Sequence, residues 1–399
     1  MARRYMTHRL AGTALVVGAL VVSACGDETL MPPTSEVDAL FDRYVSVGNS
    51  IAAGFQSGGI NDSTQAESFP LIMAAQMGLD SNEFRLPLLN FPGCPAPYIN
   101  VYTQERIFGG DTDCAVRDAG FDEFHFHNYA VPGAAVKDLL TNLDPASNPN
   151  PLTTFILGGR TQVDAALEQI PTFVSVEIGN NDVLGAALSG DASLITPSNE
   201  FDADYGAAMQ ALVAGGVQGG VLIAVFSVTN VPFLSAGGVY AALQGGGQLP
   251  PAPFLNLPNC GTTGANSLIP FSYGFPKIDS ALAGASVTID CDNDAEVLVA
   301  SEVGAIVQAV SDYNTTIENA ASQAGWAFFD PNPTLDSLRA AGEIPLFPTA
   351  PPDPASVTAP FGQWFSRDGV HPNAAAHDLI ATQIIEAINA FYETTIPLP

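Results

Sequence analysis

Residues 44–54 read YVSVGNSIAAG and contain the pattern that decides the fold. The apolar run Tyr44–Val47 is typical of a buried strand, and the small residues after it favour the start of a helix. Ser50 stands two residues after Gly48, at the predicted end of the strand. At the carboxyl edge of a parallel sheet, its hydroxyl would face a crevice and its N–H could stabilise an oxyanion. The alternative is that Ser50 only caps the helix.

Similar apolar runs recur and alternate with helical patterns, which predicts an α/β fold around a parallel sheet. The predicted strands are Tyr44–Val47, Phe124–Ala130, Phe173–Ile178, Val221–Val228 and Ala327–Phe329. The predicted helices are Ser68–Gly78, Val136–Leu143, Gln162–Gln169, Asp202–Ala214, Ala295–Ala324 and Asn373–Glu393. Residues 79–123, 231–294 and 341–363 do not follow this alternation. They predict long loop insertions over one face of a single domain, residues 41–399.

Near the C-terminus, residues 368–373 read DGVHPN. A carboxylate three residues before a histidine can fold back within one turn and hold the imidazole. Asp368 would then fix the tautomer of His371, and His371 could take a proton from a serine. The alternative is a polar turn before the C-terminal helix. Under either interpretation, Asn373 after Pro372 is the predicted N-cap of that helix.

Two further polar blocks directly follow or overlap predicted strands. Residues 128–133 read NYAVPG and residues 179–182 read GNND. The N–H of Gly133 and the side-chain amide of Asn181 could act as oxyanion donors at neighbouring strand ends. Each block alone is a weak signal, because Gly and Asn are ordinary turn residues.

Together, the blocks VGNSIAAG, NYAVPG, GNND and DGVHPN resemble those of the SGNH hydrolase family, also called GDSL esterases and lipases, in order and strand-end placement. The resemblance extends from residue 44 to about residue 394. It implies a three-layer α/β/α sandwich with a flavodoxin-like central parallel sheet of about five strands. It also implies a nucleophile at Ser50, a general base and acid at His371, and an orienting carboxylate at Asp368. The implied oxyanion donors are Ser50, Gly133 and Asn181.

The resemblance implies a serine carboxylic-ester hydrolase, an esterase or lipase that forms an acyl-serine intermediate and uses no metal or cofactor. Its substrate would be a small-molecule or lipid-like ester. An acyl chain or another uncharged ester is favoured by apolar residues of the second insertion, namely Val239, Tyr240, Leu243, Leu249, Phe254 and Leu255. The alternative within this class is a carbohydrate O-acetyl esterase.

One position departs from the family pattern. The family usually has Gly-Asp-Ser, whereas this chain has Asn49 between Gly48 and Ser50. This departure supports an alternative from another class, a catalytically inactive, surface-anchored binding lipoprotein. The distance from Ser50 to His371 discriminates between the two, since a working pair must come within hydrogen-bond reach.

The composition argues against a nucleic-acid partner. The chain has 399 residues, with 41 Asp and Glu against 12 Lys and Arg, and a formal net charge of −29. Nucleic-acid binding needs clustered basic side chains that neutralise phosphates. Apolar residues make up 47% of the chain, which suffices for a core and excludes wholesale disorder.

The first residues have the parts of a secretory signal peptide. Arg3, Arg4 and Arg9 precede an apolar run over residues 10–22, and small residues precede Cys25. This arrangement resembles the lipobox of bacterial lipoproteins, in which the cysteine is acylated. It predicts a signal peptide at residues 1–24, a lipid-attached tether at 25–40, and export to the periplasmic or cell-surface side of a bacterial membrane. The alternative is a plain signal peptide with a chance cysteine.

The remaining cysteines are Cys94, Cys114, Cys260 and Cys291. Four cysteines in an exported chain suggest two disulfides with three possible pairings, of which neighbour pairing is the simplest. A cysteine metal site is the weaker alternative, because no Cys-x-x-Cys is present.

Three other sets of residues can be interpreted either as structural or as functional, that is, as metal ligands or substrate contacts. Asp290, Asp292 and Asp294 alternate as in a calcium loop, but the turn glycine and the last glutamate are missing. His125 and His127 share one face of a predicted strand, where packing is favoured over a metal pair. The aromatic residues before the DGVHPN block are more often core than substrate contacts, and these are Phe361, Trp364 and Phe365.

Overall fold

The structure, a computed structural model, describes residues 38–109, 125–141, 151–349 and 359–399. The predicted signal peptide, Cys25, most of the tether and Cys114 lie outside the described residues. No helix within the described ranges combines the length and apolar character needed to cross a bilayer.

The strands are β1 (Tyr44–Gly48), β2 (Tyr98–Asn100), β3 (Glu105–Arg106), β4 (Phe173–Glu177), β5 (Gly219–Ile223), β6 (Leu234–Ala236), β7 (Leu255–Asn256), β8 (Leu268–Pro270), β9 (Val287–Thr288) and β10 (Ala327–Phe329). The α-helices are α1 (Ser50–Ala53), α2 (Asp62–Ala66), α3 (Phe69–Gln76), α4 (Asp138–Thr141), α5 (Pro151–Leu157), α6 (Gln162–Glu168), α7 (Asn181–Ser189), α8 (Ser198–Ala214), α9 (Gly237–Gly245), α10 (Phe271–Leu282), α11 (Ala300–Ala324), α12 (Asn332–Ala340) and α13 (Ala374–Tyr392).

The central sheet has the strand order β1-β4-β5-β10, and every pairing in it is parallel. Gly48 of β1 is opposite Glu177 of β4, which is opposite Ile223 of β5. All residues of β1, β4 and β5 are buried. In a parallel sheet between two helical layers, the side chains on both faces of each strand are buried.

Helices cover the sheet and complete the predicted three-layer α/β/α sandwich. In one group, α11 packs on α8, β5 and β10, while α6 packs on β1. In the other, α13 packs on α3 and β10. The predicted cap of the last helix is confirmed, since Asn373 Oδ1 accepts the N–H of Ala376 at 3.1 Å.

Within the described residues the sheet has four strands rather than about five. Where the strand Phe124–Ala130 was predicted, residues 125–130 contribute one bridge, between Asn128 and Ser46. This segment still runs beside β1, with a hydrogen bond from Tyr129 N–H to Ser46 O at 2.8 Å. The Asn128 side chain accepts the N–H of Ala130 at 3.1 Å. Backbone bonds from Ser46 N–H to His127 O and from Val131 N–H to Gly48 O continue this contact, so the segment lies where a fifth strand would, without forming a continuous ladder.

The predicted strand Val221–Val228 is also displaced. β5 starts two residues earlier, at Gly219, and ends at Ile223. Beyond its end, Val225 bonds through both its N–H and its C=O to the side chain of Asn314, at 2.7 and 3.0 Å. An amide side chain thus takes the place that a neighbouring strand would occupy.

The insertion at residues 231–294 is more ordered than a loop. It contains α9, α10, an antiparallel pair of β6 with β8, and a parallel pair of β7 with β9. These elements enclose a second, smaller core with the Cys260–Cys291 disulfide in it. The sequence obscured the helices because glycines bound α9 and Pro276 lies inside α10, both features that usually break helices.

The expected pairing of Cys260 with Cys291 is confirmed. Cys94 is also disulfide-bonded. Its expected partner Cys114 lies outside the described residues, so this second pairing stays a prediction.

Candidate active site

The turn after β1 brings Ser50 to the carboxyl edge of the sheet. A Cβ atom on Gly48 would lie 2.3 Å from the carbonyl oxygen of Glu177, so this close approach of β1 to β4 requires glycine. Asn49, not Ser50, is the N-cap of α1, because its Oδ1 accepts the N–H of Ile51 at 3.1 Å. The interpretation of Ser50 as a helix cap is therefore wrong.

The first turn of α1 leaves one backbone donor free. The N–H of Ala52 donates to Glu177 Oε2 at 3.1 Å, and that of Ala53 donates to Asn49 O at 3.0 Å. Within the described residues, the N–H of Ser50 makes no hydrogen bond. Helix starts leave such donors without an intrahelical partner. The Ser50 N–H is therefore available to a negatively charged oxygen.

The structure brings Ser50, His371 and Asp368 together. His371 Nε2 lies 2.9 Å from Ser50 Oγ, and His371 Nδ1 lies 2.9 Å from Asp368 Oδ2. An ionised carboxylate only accepts hydrogen bonds, so Nδ1 carries the proton and Nε2 is the acceptor for the serine hydroxyl. This is the tautomer in which the histidine can remove the serine proton.

The turn around Asp368 holds its carboxylate with several donors. Asp368 Oδ1 accepts the N–H groups of Val370 and His371, both at 2.8 Å. Asp368 Oδ2 accepts the N–H of Gly58 at 2.6 Å from the distant loop after α1. Burial alone would raise the pKa of Asp368, but His371 and these hydrogen bonds lower it to about 2. Asp368 is therefore ionised at neutral pH.

The segments that carry Gly133 and Asn181 are tied to the serine turn. Val131 N–H donates to Gly48 O at 3.0 Å. Asn181, the first residue of α7, donates from Nδ2 to Ala134 O at 2.8 Å. That bond uses one of the two amide protons of Asn181. The second proton and the exposed N–H of Gly133 remain as candidate oxyanion donors.

An apolar cleft that is partly open to solvent begins at Ser50 and His371. It runs between α12 and the start of α13, so both helices contribute apolar side chains. The apolar residues of its wall include Leu184, Phe226, Val231, Leu335, Leu338, Ile344, Trp364, Phe365, Leu379 and Ile380. The cleft is the natural place for an apolar part of a substrate.

Polar contacts hold the two sides of this cleft. Gln383 Nε2 on α13 donates to Thr334 Oγ1 on α12 at 2.7 Å, and both residues line the cleft. Trp364 Nε1 donates to Glu343 Oε2 at 2.9 Å. These bonds connect α12 to α13, and the turn after α12 to the segment just before His371.

The six apolar residues of the second insertion that favoured an acyl chain do not contribute to this cleft. Tyr240, Leu249 and Leu255 lie in the second core around the disulfide, and Leu243 packs against it. None of the six apolar residues proposed from that insertion lines the cleft. The three aromatic residues before the DGVHPN block divide between two roles. Phe361 is fully buried core, whereas Trp364 and Phe365 line the cleft.

Sequence reasoning missed three contributors to the site. Glu177 is buried beneath the serine turn, and a lone charged residue in the apolar run FVSVEI was the available signal. Gln162 Oε1 accepts the N–H of Gly48 at 2.8 Å, which no local pattern indicates. The apolar wall on α12 was also missed, although Leu335 and Leu338 have the spacing of one helix face.

The other candidate ligands bond within the protein. His127 Nδ1 accepts the N–H of Arg85 at 3.0 Å, and burial, Arg85 and His125 lower the pKa of His127 to about 4. Asp290 accepts the side-chain amides of Asn259 and Asn293 at 2.9 and 3.0 Å. In the part of the chain that the structure describes, no group of three or more His, Cys, Asp or Glu residues is placed to hold a metal ion.

Comparisons with solved structures give distant likenesses. An acetylxylan esterase from Geobacillus stearothermophilus is 12% identical, with 87% of this chain and 94% of that chain covered and a TM-score of 0.39. An α/β hydrolase from the metagenome of Lake Arreo is 14% identical, with 88% and 96% covered and a TM-score of 0.37. An extracellular lipase from Streptomyces rimosus is 15% identical, with 86% and 98% covered and a TM-score of 0.31. None of these values is high enough to inform on substrate.

No curated protein matches the chain significantly. The family model described as GDSL-like lipase/acylhydrolase matches residues 44–384, which include the serine turn, both candidate oxyanion segments and the Asp368–His371 turn. The chain therefore belongs to the GDSL-like lipase/acylhydrolase family and is an SGNH-type ester hydrolase.

Proposed function

We propose that the protein hydrolyses carboxylic esters with an uncharged, apolar acyl group through an acyl intermediate on Ser50. The observation that carries this proposal is the hydrogen-bonded series Ser50–His371–Asp368 at the mouth of an apolar cleft. The 2.9 Å between Ser50 Oγ and His371 Nε2 argues against an inactive binding lipoprotein, since the serine hydroxyl lies within hydrogen-bond reach of its base.

In the proposed reaction, Ser50 Oγ attacks the ester carbonyl while His371 Nε2 takes its proton. The tetrahedral oxyanion receives hydrogen bonds from the N–H groups of Ser50 and Gly133 and from the Asn181 amide. His371 then protonates the leaving alcohol, and the acyl-enzyme forms. Water, deprotonated by His371, attacks the acyl carbonyl and releases the acid. Asp368 remains ionised and stabilises the imidazolium in both steps.

The wall of the cleft supports an apolar acyl group. It has almost no charged side chain near its mouth other than the triad, and its lining is dominated by Leu, Ile, Val and aromatic residues. Each methylene group buried there contributes about 0.8 kcal/mol, or roughly fourfold in kcat/KM. An acetyl group would leave most of this surface unfilled.

We therefore expect kcat/KM for p-nitrophenyl esters to rise from acetate towards octanoate. A fluorophosphonate should label the protein, and peptide mapping should place the label on Ser50. In Leu338→Trp, the indole should fill the cleft and reduce the octanoate-to-acetate ratio of kcat/KM by about tenfold. Leu282→Trp is the matched control, because Leu282 is 65% exposed on α10 and does not line this cleft.

Two outcomes would contradict the proposal. Wild-type protein without hydrolysis or labelling on any of these esters would refute serine esterase activity. Hydrolysis of acetate alone, with the same ratio in Leu338→Trp, would instead favour a carbohydrate O-acetyl esterase. Acetylated xylo-oligosaccharides would then be the next substrates to measure.

We further propose that Cys25 carries a lipid that tethers the enzyme to the exported side of a bacterial membrane. The support is the basic start, the short apolar run and the small residues before Cys25. In a bacterial host, the full chain should incorporate labelled palmitate and partition into the membrane fraction. Cys25→Ser should abolish the label. A wild-type chain that takes up no label, or a Cys25→Ser chain that keeps it, would refute the anchor.

A further inference from the structure

Glu177 is a buried carboxyl group for which the reaction above has no role. It ends β4, directly opposite Gly48 in the ladder, and only 1% of its surface is exposed. The elements packed around this end of β4 are β1, β5 and α1, and none of them carries a charged side chain. The other titratable groups near this end of the sheet are His371, which bonds Ser50, and Asp182 in the first turn of α7.

The two carboxyl oxygens of Glu177 contact two different segments. Oε2 accepts the N–H of Ala52, in the first turn of α1, at 3.1 Å. Oε1 accepts Asn180 Nδ2, immediately before Asn181, at 2.6 Å. The other end of the Asn180 amide is also fixed, because its Oδ1 accepts the N–H of Phe226 at 2.9 Å. One side chain thus connects the serine helix to the turn that starts α7.

These two segments carry two of the proposed oxyanion donors. Ala52 is two residues after Ser50, whose N–H is free among the described residues, and Asn180 precedes Asn181. Oxyanion stabilisation depends on donors held in fixed directions before the reaction, so small displacements of either segment reduce it. We infer that Glu177 is a positioning residue. It holds the Ser50 N–H and the Asn181 amide in positions from which both can donate to the same oxyanion. This inference rests on the proposed function.

Glu177 also gives a reason for Asn49. The Asn49 Nδ2 atom is buried near the Glu177 carboxyl and makes no hydrogen bond to any other described residue, so the amide is directed at Glu177 without a formed bond. An aspartate there, as the family usually has, would place a second carboxyl group against Glu177, and two adjacent buried carboxyls cannot both ionise. An asparagine keeps the cap of α1 and presents an N–H to Glu177 instead.

The surroundings of Glu177 affect its ionisation. Burial raises the pKa of Glu177 to about 8, against the lowering effect of the donors Ala52 and Asn180 and of the neighbouring Asn49. A carboxyl whose folded pKa exceeds its unfolded value stabilises the fold below the unfolded pKa. That contribution is lost as the pH rises through the folded pKa. Asp182 and His371 are common to wild type and any Glu177 variant, so a comparison isolates this one group.

The test compares Glu177→Gln with Glu177→Met in the full-length enzyme. Gln keeps the shape and one acceptor oxygen, whereas Met keeps the approximate volume and no acceptor. We expect kcat to fall about threefold to tenfold in Glu177→Gln and about 100-fold in Glu177→Met, with KM within about threefold of wild type because Glu177 does not line the cleft. Glu318→Gln, an exposed glutamate on α11, is the control.

A double-mutant cycle separates positioning from a general loss of structure. If Glu177 acts through the oxyanion donors, Glu177→Met should cost much less in an Asn181→Ala background than in wild type. If the kcat losses of Glu177→Met and Asn181→Ala multiply in the double variant, the inference is wrong. It is also wrong if Glu177→Met raises KM and leaves kcat unchanged. A wild-type enzyme without esterase activity would refute the proposed function instead, so the two failures are distinguishable.

The Glu177→Gln variant keeps the inference testable even if Glu177→Met fails to fold. Between pH 5 and pH 8, the melting temperature of wild type should fall relative to that of Glu177→Gln, which has no carboxyl to keep protonated. The inference is overturned if Glu177→Gln folds and keeps the kcat of wild type across this pH range, whatever the two melting curves show.

Discussion

Replacement of Ser50 by alanine should reduce kcat/KM for p-nitrophenyl butyrate by about four orders of magnitude or more. The substitution removes the only hydroxyl that lies within hydrogen-bond reach of His371 Nε2 in the described residues. The cleft and the oxyanion donors stay in place, so weak residual hydrolysis above the buffer rate is expected. The variant should also lose all labelling by the fluorophosphonate.

Ser63→Ala is the matched control for this experiment. Ser63 is exposed on α2, and its hydroxyl bonds only to Asp62 among the described residues. Both variants should unfold at temperatures close to that of wild type. If Ser50→Ala kept more than a few per cent of the activity, another nucleophile would have to be present and the proposed mechanism would be wrong.

Replacement of Asp368 by asparagine should lower kcat by about 10³-fold to 10⁴-fold at neutral pH. Asparagine can still accept the N–H groups of Val370 and His371 through its oxygen. Its NH₂ group, however, would face His371 Nδ1 and the N–H of Gly58. His371 would then carry its proton on Nε2 and could not accept one from Ser50.

The control is Asp378→Asn, an exposed aspartate on α13 near the site.

The pH dependence of the stability contributed by Asp368 has a defined sign. Because the pKa of Asp368 is lowered to about 2, its contribution to stability is present above the unfolded pKa and is lost only as the pH falls through about 2. The stability of Asp368→Asn should therefore lack the decrease at low pH that protonation of Asp368 causes in wild type. A variant with more than a tenth of wild-type kcat would contradict the proposed role.

Comparison of the expected and observed elements shows where sequence patterns are informative. β10 has the predicted bounds, and α8, α11 and α13 differ from prediction by a few residues at their ends. These elements depend on apolar periodicity within one segment. Where the strand Phe124–Ala130 was predicted, residues 127–131 contact β1 through three backbone hydrogen bonds and one bridge, without a continuous ladder.

The insertion at residues 231–294 shows the opposite error. Its glycines and prolines indicate loops, yet α9 and α10 form there around Cys260–Cys291. Tertiary packing in a small core overrides weak local propensity. The same packing uses Tyr240 and Leu255 as core residues, so the apolar composition of this stretch was no guide to the substrate.

The sequence alone determined the fold class and the candidates Ser50, Asp368 and His371. It did so because a serine after a buried strand and a carboxylate three residues before a histidine are local patterns. Only the tertiary structure decided what supports these residues. Gly58 binds Asp368 across 310 residues, and Glu177 reaches Ala52 across 125. The apolar cleft likewise depends on how α12 lies against α13, because contacts between segments distant in sequence form only when the chain has folded.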